Sequence, residues 1–155
     1  MASFRDIDDA ARSEREAIEA KRKADEIARV EREQQNLRDG EEWLRRIPLA
    51  ILKRAQEELA GRYSLEFSED LSRTSPVSSG LPTICYTLEP IGGSRYRALP
   101  HYVFADKQRN VKCIAYSMYD DRGAREVFWG NIDTATEADF EKHISDLVRW
   151  WVNNR

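Results

Sequence analysis

Few side chains in this sequence are suited to chemistry. The chain of 155 residues has two histidines, His101 and His143, and two cysteines, Cys85 and Cys113. Imidazole titrates near neutrality, which makes it the usual proton carrier. His101 is followed by Asp106, Asp120 and Asp121 at the ends of predicted hairpins, so a metal or acid–base site at the hairpin ends is one reading of these residues. Aspartates also populate turns for backbone reasons alone, and that account needs no ligand. Two cysteines within predicted strands are too few for a disulfide framework or a cysteine zinc site, and as buried thiols they are inert. No nucleophile elbow, phosphate-binding glycine pattern or paired-histidine metal motif occurs. The expectation is therefore no catalytic residue, no metal and no cofactor.

A second group could bind nucleic acid. From Arg95 to Arg125 seven basic residues stand against three acids, with Tyr96, Tyr102, Tyr116 and Tyr119 interleaved. Cations for the phosphates and rings for the bases are what a single-strand surface requires. Arg95, Tyr96, Arg97, Arg109 and Lys112 are the candidates. A hairpin edge guarded by charge has the same composition, and residues 63–94 and 126–155 each carry an excess of acids. With a formal net charge of −3, nucleic acid is the alternative partner.

The third group could hold a protein partner. Ile18 and Ile27 are large apolar residues in a strongly charged helical stretch, and Trp129, His143 and Trp150 lie beside predicted core stripes. Exposed aromatics of this kind anchor interfaces, although the two tryptophans would serve equally well to complete a core.

The elements that must position these residues follow from periodicity. From Arg5 to Asp39 there is no Gly or Pro, and Glu, Arg, Lys, Asp and Ala dominate, which predicts one long charged helix. Asp8 with Arg12, Glu19 with Lys23 and Asp25 with Arg29 stand four apart with the acid first, the favourable order for ion pairs on a helix. Two apolar stripes compete along it: Ala10, Ala17, Ala20, Ala24 and Ile27, against Phe4, Ile7, Ala11 and Ile18. Neither fixes a coiled-coil register. Asp39-Gly40 is expected to interrupt this helix.

A more apolar helical face then runs from Trp43 to Leu59, restarting at Pro48, with Gly61 as its stop. Alternating runs at Tyr63 to Phe67 and Ile84 to Leu88, a short run at Arg95 to Leu99, and apolar runs at Tyr102 to Phe104, Val111 to Tyr119 and Arg125 to Ile132 predict strands. The short connections between the last three require antiparallel pairing, while the long loop from Ser68 to Pro82 leaves the strand order open. The later strands are apolar on both faces, so they need a cover on each: the C-terminal helix on one, and the helix around Ile47 to Leu59 or another chain on the other. Thr134 and Thr136 precede Glu137 and Asp139 at a helix start, and Phe140, Ile144, Leu147, Val148 and Trp151 form its apolar stripe.

The fold class is thus α+β: an antiparallel β-meander of four to five strands packed by a C-terminal helix and a second helix. The expected domains are a charged helical arm at residues 1–39 and an α+β domain at residues 40–155. No apolar run approaches a membrane span and the N-terminus lacks a secretory core, so the expected location is cytoplasmic with no membrane partner. The expected function is a non-enzymatic protein-interaction module, an adaptor, inhibitor or chaperone-like protein whose partner is another protein or a second copy in a homodimer.

Overall fold

Helix formation at the start of the chain needs only good helix formers, and they carry α1 unbroken over Phe4–Arg46. The structure is a computed structural model that describes residues 1–69, 71, 80–116 and 124–154, with the backbone alone at 115, 116 and 124–129. Two compact units divide the chain, Met1–Gln35 and Asn36–Arg155.

The first unit is helix alone. Ser3 opens it with a reciprocal cap: its hydroxyl accepts from the Asp6 amide at 3.2 Å, and its own amide donates to the Asp6 carboxylate at 3.1 Å. The expected Asp8–Arg12 pair forms at 3.0 Å, while Arg29 turns toward Glu33 at 3.4 Å and Glu26 at 4.0 Å.

The second unit begins inside the same helix. The expected interruption at Asp39-Gly40 does not occur, because Gly40 is there for packing. A Cβ on it would lie 2.6 Å from the Ala105 Cβ, so the missing side chain is what lets the helix approach the sheet. Leu37, Gly40, Trp43 and Leu44 are buried. The real break falls at Ile47, just before Pro48, whose ring removes one amide donor and opens α2, Pro48–Glu58.

Five strands follow in chain order: β1 Tyr63–Phe67, β2 Thr83–Pro90, β3 His101–Ala105, β4 Asn110–Tyr116 and β5 Ala124–Asn131. Each pairs antiparallel with the next, giving the sheet order β1-β2-β3-β4-β5. The run Arg95 to Leu99 is not a strand; β3 starts only after Pro100, which has no amide for the ladder. Asp120 and Asp121, with their turn, and most of the loop from Ser68 to Pro82 lie outside the described residues.

α3, Glu137–Asn153, starts at a capping box in which the Thr136 amide donates to Asp139 at 3.1 Å. Its stripe lies on the sheet as expected: Phe140, Ile144 and Trp151 are buried, and Leu147 and Val148 pack beside them. Each such side chain contributes roughly 1.5–3 kcal/mol before ordering entropy is subtracted. Trp151 also donates its indole N–H to the Leu88 carbonyl at 2.9 Å.

The helix around Ile47 to Leu59 is not the second cover. α2 joins α3 and the end of α1 in one core, with Trp43, Leu52, Phe140 and Trp151 against Ile84, Tyr86, Leu88 and Val103. The helices therefore share one face of the sheet. The opposite face carries the cross-strand row Cys85, Tyr102, Ile114, all half-buried.

Candidate functional site

The helical arm is the first place where structure and solvent meet unusually. From residue 4 to residue 35 every side chain is exposed except the half-buried Glu33. Five large apolar residues are among them, including both Ile18 at 63% and Ile27 at 60% exposure. Phe4 is 92% exposed, and Ile7 and Val30 complete the set. A lone helix gains little from propensity once its nucleation cost is met, and capping with i, i+4 pairs adds only a few tenths of a kcal/mol each. An arm of this kind presents apolar surface without a core of its own.

His143 and His101 have a different fate. Register pairs Tyr86 with His101 across β2 and β3, and their rings stack at 5.4 Å. The Tyr86 hydroxyl lies 2.6 Å from His143 Nε2 and 3.3 Å from Cys113 Sγ, with Cys113 Sγ 3.8 Å from His143 Nε2. Burial dominates the electrostatics here: it holds both imidazoles down at about 4 and pushes the Cys113 thiol up to about 12. The Tyr86 phenol is likewise raised by burial. Burial thus favours the neutral imidazoles and the protonated thiol, the form in which cysteine is a poor nucleophile.

Of the hairpin-end carboxylates proposed around His101, only Asp106 lies among the described residues, and it does not reach His101. Asp106 stands at the other end of β3, where its carboxylate accepts from the amides of Gln108 and Asn110 at 2.9 and 2.8 Å and so shapes the turn. Among the described residues no group of three His, Cys, Asp or Glu side chains is placed to hold a metal ion.

The nucleic-acid candidates are distributed over three environments. Arg95 and Arg97 are exposed in the β2–β3 connection, with the Arg95 guanidinium 4.8 Å from the Tyr96 ring centre. Tyr96 meanwhile packs edge-on against Trp150 at 5.4 Å. Lys112 is half-buried on the sheet face away from the helices, in register with Phe104.

Arg109 is a clamp. It sits at the turn with φ 68°, donates to Asp133 at 2.7 and 3.1 Å and to Asp39 at 2.5 Å, and its backbone carbonyl accepts from Ile132 at 2.8 Å. These carboxylates raise its pKa further, chiefly through Asp133. Two acids neutralise the charge that a phosphate would need.

Of the aromatic interface candidates, Trp150 is half-buried between Tyr96 and Trp151, whose ring lies 4.8 Å away edge-on. The Trp129 side chain lies outside the described residues.

One surface was not visible in the sequence. Between α2 and α3 runs a groove in two joined hollows that share Leu59 and Val148. One, of about 400 Å³, is crossed by Arg54, which pairs with Glu141 and Glu137 of α3. The other, of about 520 Å³, is lined by Leu59, Tyr63, Val148, Ile91 and Val152, with Arg62 at its edge. Ile91 and Val152 are 57% and 62% exposed. Among the described residues the Arg62 side chain has neither a hydrogen bond nor an ion pair. The only sequence signal was Val152, an aliphatic residue one place beyond the core stripe.

Comparison with known proteins adds no relative: no family model matches the chain, and neither a curated protein nor a solved structure matches it. No helix among the described residues is long and apolar enough to cross a membrane.

Proposed function

We propose that this is a non-enzymatic protein-interaction module, an adaptor, inhibitor or chaperone-like protein, in which residues 4–35 form the segment that meets the partner. The observation that carries this reading is the arm itself: a capped helix with Phe4, Ile7, Ile18, Ile27 and Val30 all facing solvent. Phe4, Ile7 and Ile18 share one side of the helix while Ile27 and Val30 lie on others, so the arm offers apolar anchors to a groove or a second helix from more than one face. Arg109, paired with both Asp39 and Asp133, is a poor phosphate anchor, which supports protein over nucleic acid as the partner.

The test compares the wild-type chain with a variant in which those five residues are changed to Gln, a helix former without apolar surface. Light scattering over a concentration series reads self-association, and affinity capture with the variant as control reads other partners. Association weakened about thirtyfold or more in the variant is expected for hot-spot side chains. Equal masses and equal capture by the two chains would refute the proposal.

A further inference from the structure

A polar hollow of about 300 Å³ lies where the end of α1 meets two connections of the sheet, and we propose that it binds a small zwitterion of the α-amino-acid type. Asp39, Glu42, Trp43 and Arg46 line it from one face of α1, each three or four positions from another of the set. Arg109 comes from the β3–β4 turn, and Ile132 and Asp133 from the connection between β5 and α3. All seven belong to the unit Asn36–Arg155, so the site stands apart from the arm and from the interaction reading.

Three groups of this lining have no partner among the described residues. Trp43 is 2% exposed, yet its indole N–H has no acceptor, whereas buried donors are paired in the great majority of cases. Glu42 and Arg46 stand four apart with the acid first, the order that favours an ion pair. One position earlier Glu41 and Arg45 make that pair at 3.2 Å. Glu42 and Arg46 do not, and both charges stay open. The other charges are fixed: Arg109 holds Asp39 and Asp133 from the one positive-φ position among the described residues that is not glycine, a strained backbone of the kind that clusters at ligand sites.

The charge balance selects the occupant. Two arginines face three carboxylates, a net of −1. A simple anion would meet Arg46 and the Trp43 N–H but would add like charge beside Glu42, and a simple cation would meet Glu42 and leave both donors unmet. An α-amino acid meets all three, with its carboxylate accepting from Arg46 and Trp43 and its ammonium donating to Glu42. The volume is at the small end of ligand pockets, which suits an occupant of that size.

The experiment titrates the isotope-labelled full-length chain with L-alanine and follows the Trp43 indole N–H resonance, identified by its absence in Trp43→Phe. A saturable shift with a Kd of about 1 mM or tighter is expected. Glu42→Gln and Arg46→Gln should each weaken it at least about tenfold, and both positions are exposed on a helix that glutamine suits. Sodium acetate and methylammonium chloride each carry half of the charge pattern, so each should bind at least about tenfold more weakly than L-alanine. No saturable shift with L-alanine overturns the proposal, and so does a shift that neither substitution weakens, which would place the ligand elsewhere. Acetate or methylammonium binding as tightly as L-alanine overturns the zwitterion in favour of a simple anion or cation.

Discussion

Gly40→Ala is the substitution in which two principles disagree about the sign. In a solvent-facing helix, alanine for glycine stabilises by about 0.8–1 kcal/mol, because glycine loses more backbone freedom on folding. At position 40 the new methyl would meet the Ala105 Cβ at 2.6 Å. Neither atom ends a flexible side chain: one is fixed to α1, the other to β3. The helix or the strand must move by roughly an ångström, and over-packing of this kind costs about 1–3 kcal/mol. The same shift loosens the neighbouring bonds from Asn36 to the Lys107 carbonyl, 2.7 Å, and from Arg109 to Asp39. The expected outcome is a net loss of about 1–2 kcal/mol, read as a lower urea midpoint with an unchanged slope. Adding Ala105→Gly should recover most of that loss, since it vacates the space the methyl needs. A Gly40→Ala chain more stable than wild type would refute the close packing of α1 on β3.

The buried histidines give a pH dependence with a definite sign. Their folded values of about 4 lie below the ordinary 6.5, so the unfolded chain takes up protons first. Their contribution is complete above pH 6.5 and is lost as the pH falls toward 4, the loss reaching about 2 kcal/mol by pH 5 for one histidine titrating alone. Chemical denaturation at pH 7 and pH 5 checks it, and a His101→Gln chain with an unchanged pH slope would refute it. Arg109→Gln should cost about 1–2 kcal/mol through loss of its bonds to two partly exposed carboxylates. Arg109→Gly should recover about 1 kcal/mol of that, because φ 68° suits glycine; a midpoint no higher than that of Arg109→Gln would contradict the account.

Elements whose periodicity and caps agree were legible in the sequence. The α3 stripe and its acidic first turn follow from spacing, and the antiparallel pairing of the last three strands from their short connections, whereas the order of the whole sheet did not, because the loop from Ser68 to Pro82 is long enough for several pairings. Gly40 misled because a glycine that ends a helix and one that admits a neighbouring strand look alike until the neighbour is known. Pro48 was the truer punctuation, since its missing amide acts wherever it stands.

The candidate site divides in the same way. The arm's exposed isoleucines were legible because nothing around them in sequence could bury them. His143 looked like a surface residue because the stripe does not include it, and only cross-strand register shows the Tyr86 hydroxyl that receives it. Arg109 read as a basic residue beside tyrosines, and its two acids lie 70 and 24 positions away. Pairings over such separations leave no periodic trace. The α2–α3 groove is likewise a product of how two helices meet on the sheet.

The spatial order of the strands is their order along the chain, and this bears on how the fold is reached. Each ladder joins strands that are neighbours in sequence, the longest connection being the loop from Ser68 to Pro82, and because closure entropy grows only slowly with length each pairing is reached at modest cost. The sheet can be laid down strand by strand as the polypeptide lengthens. Its helix-facing side, partly covered by α2 and the end of α1, is completed only when residues 140–151 arrive and Trp151 closes over β2, 63 positions behind it. Assembly therefore separates into an early local phase and one late long-range docking step, and the apolar face of the sheet is vulnerable to aggregation in the interval between them.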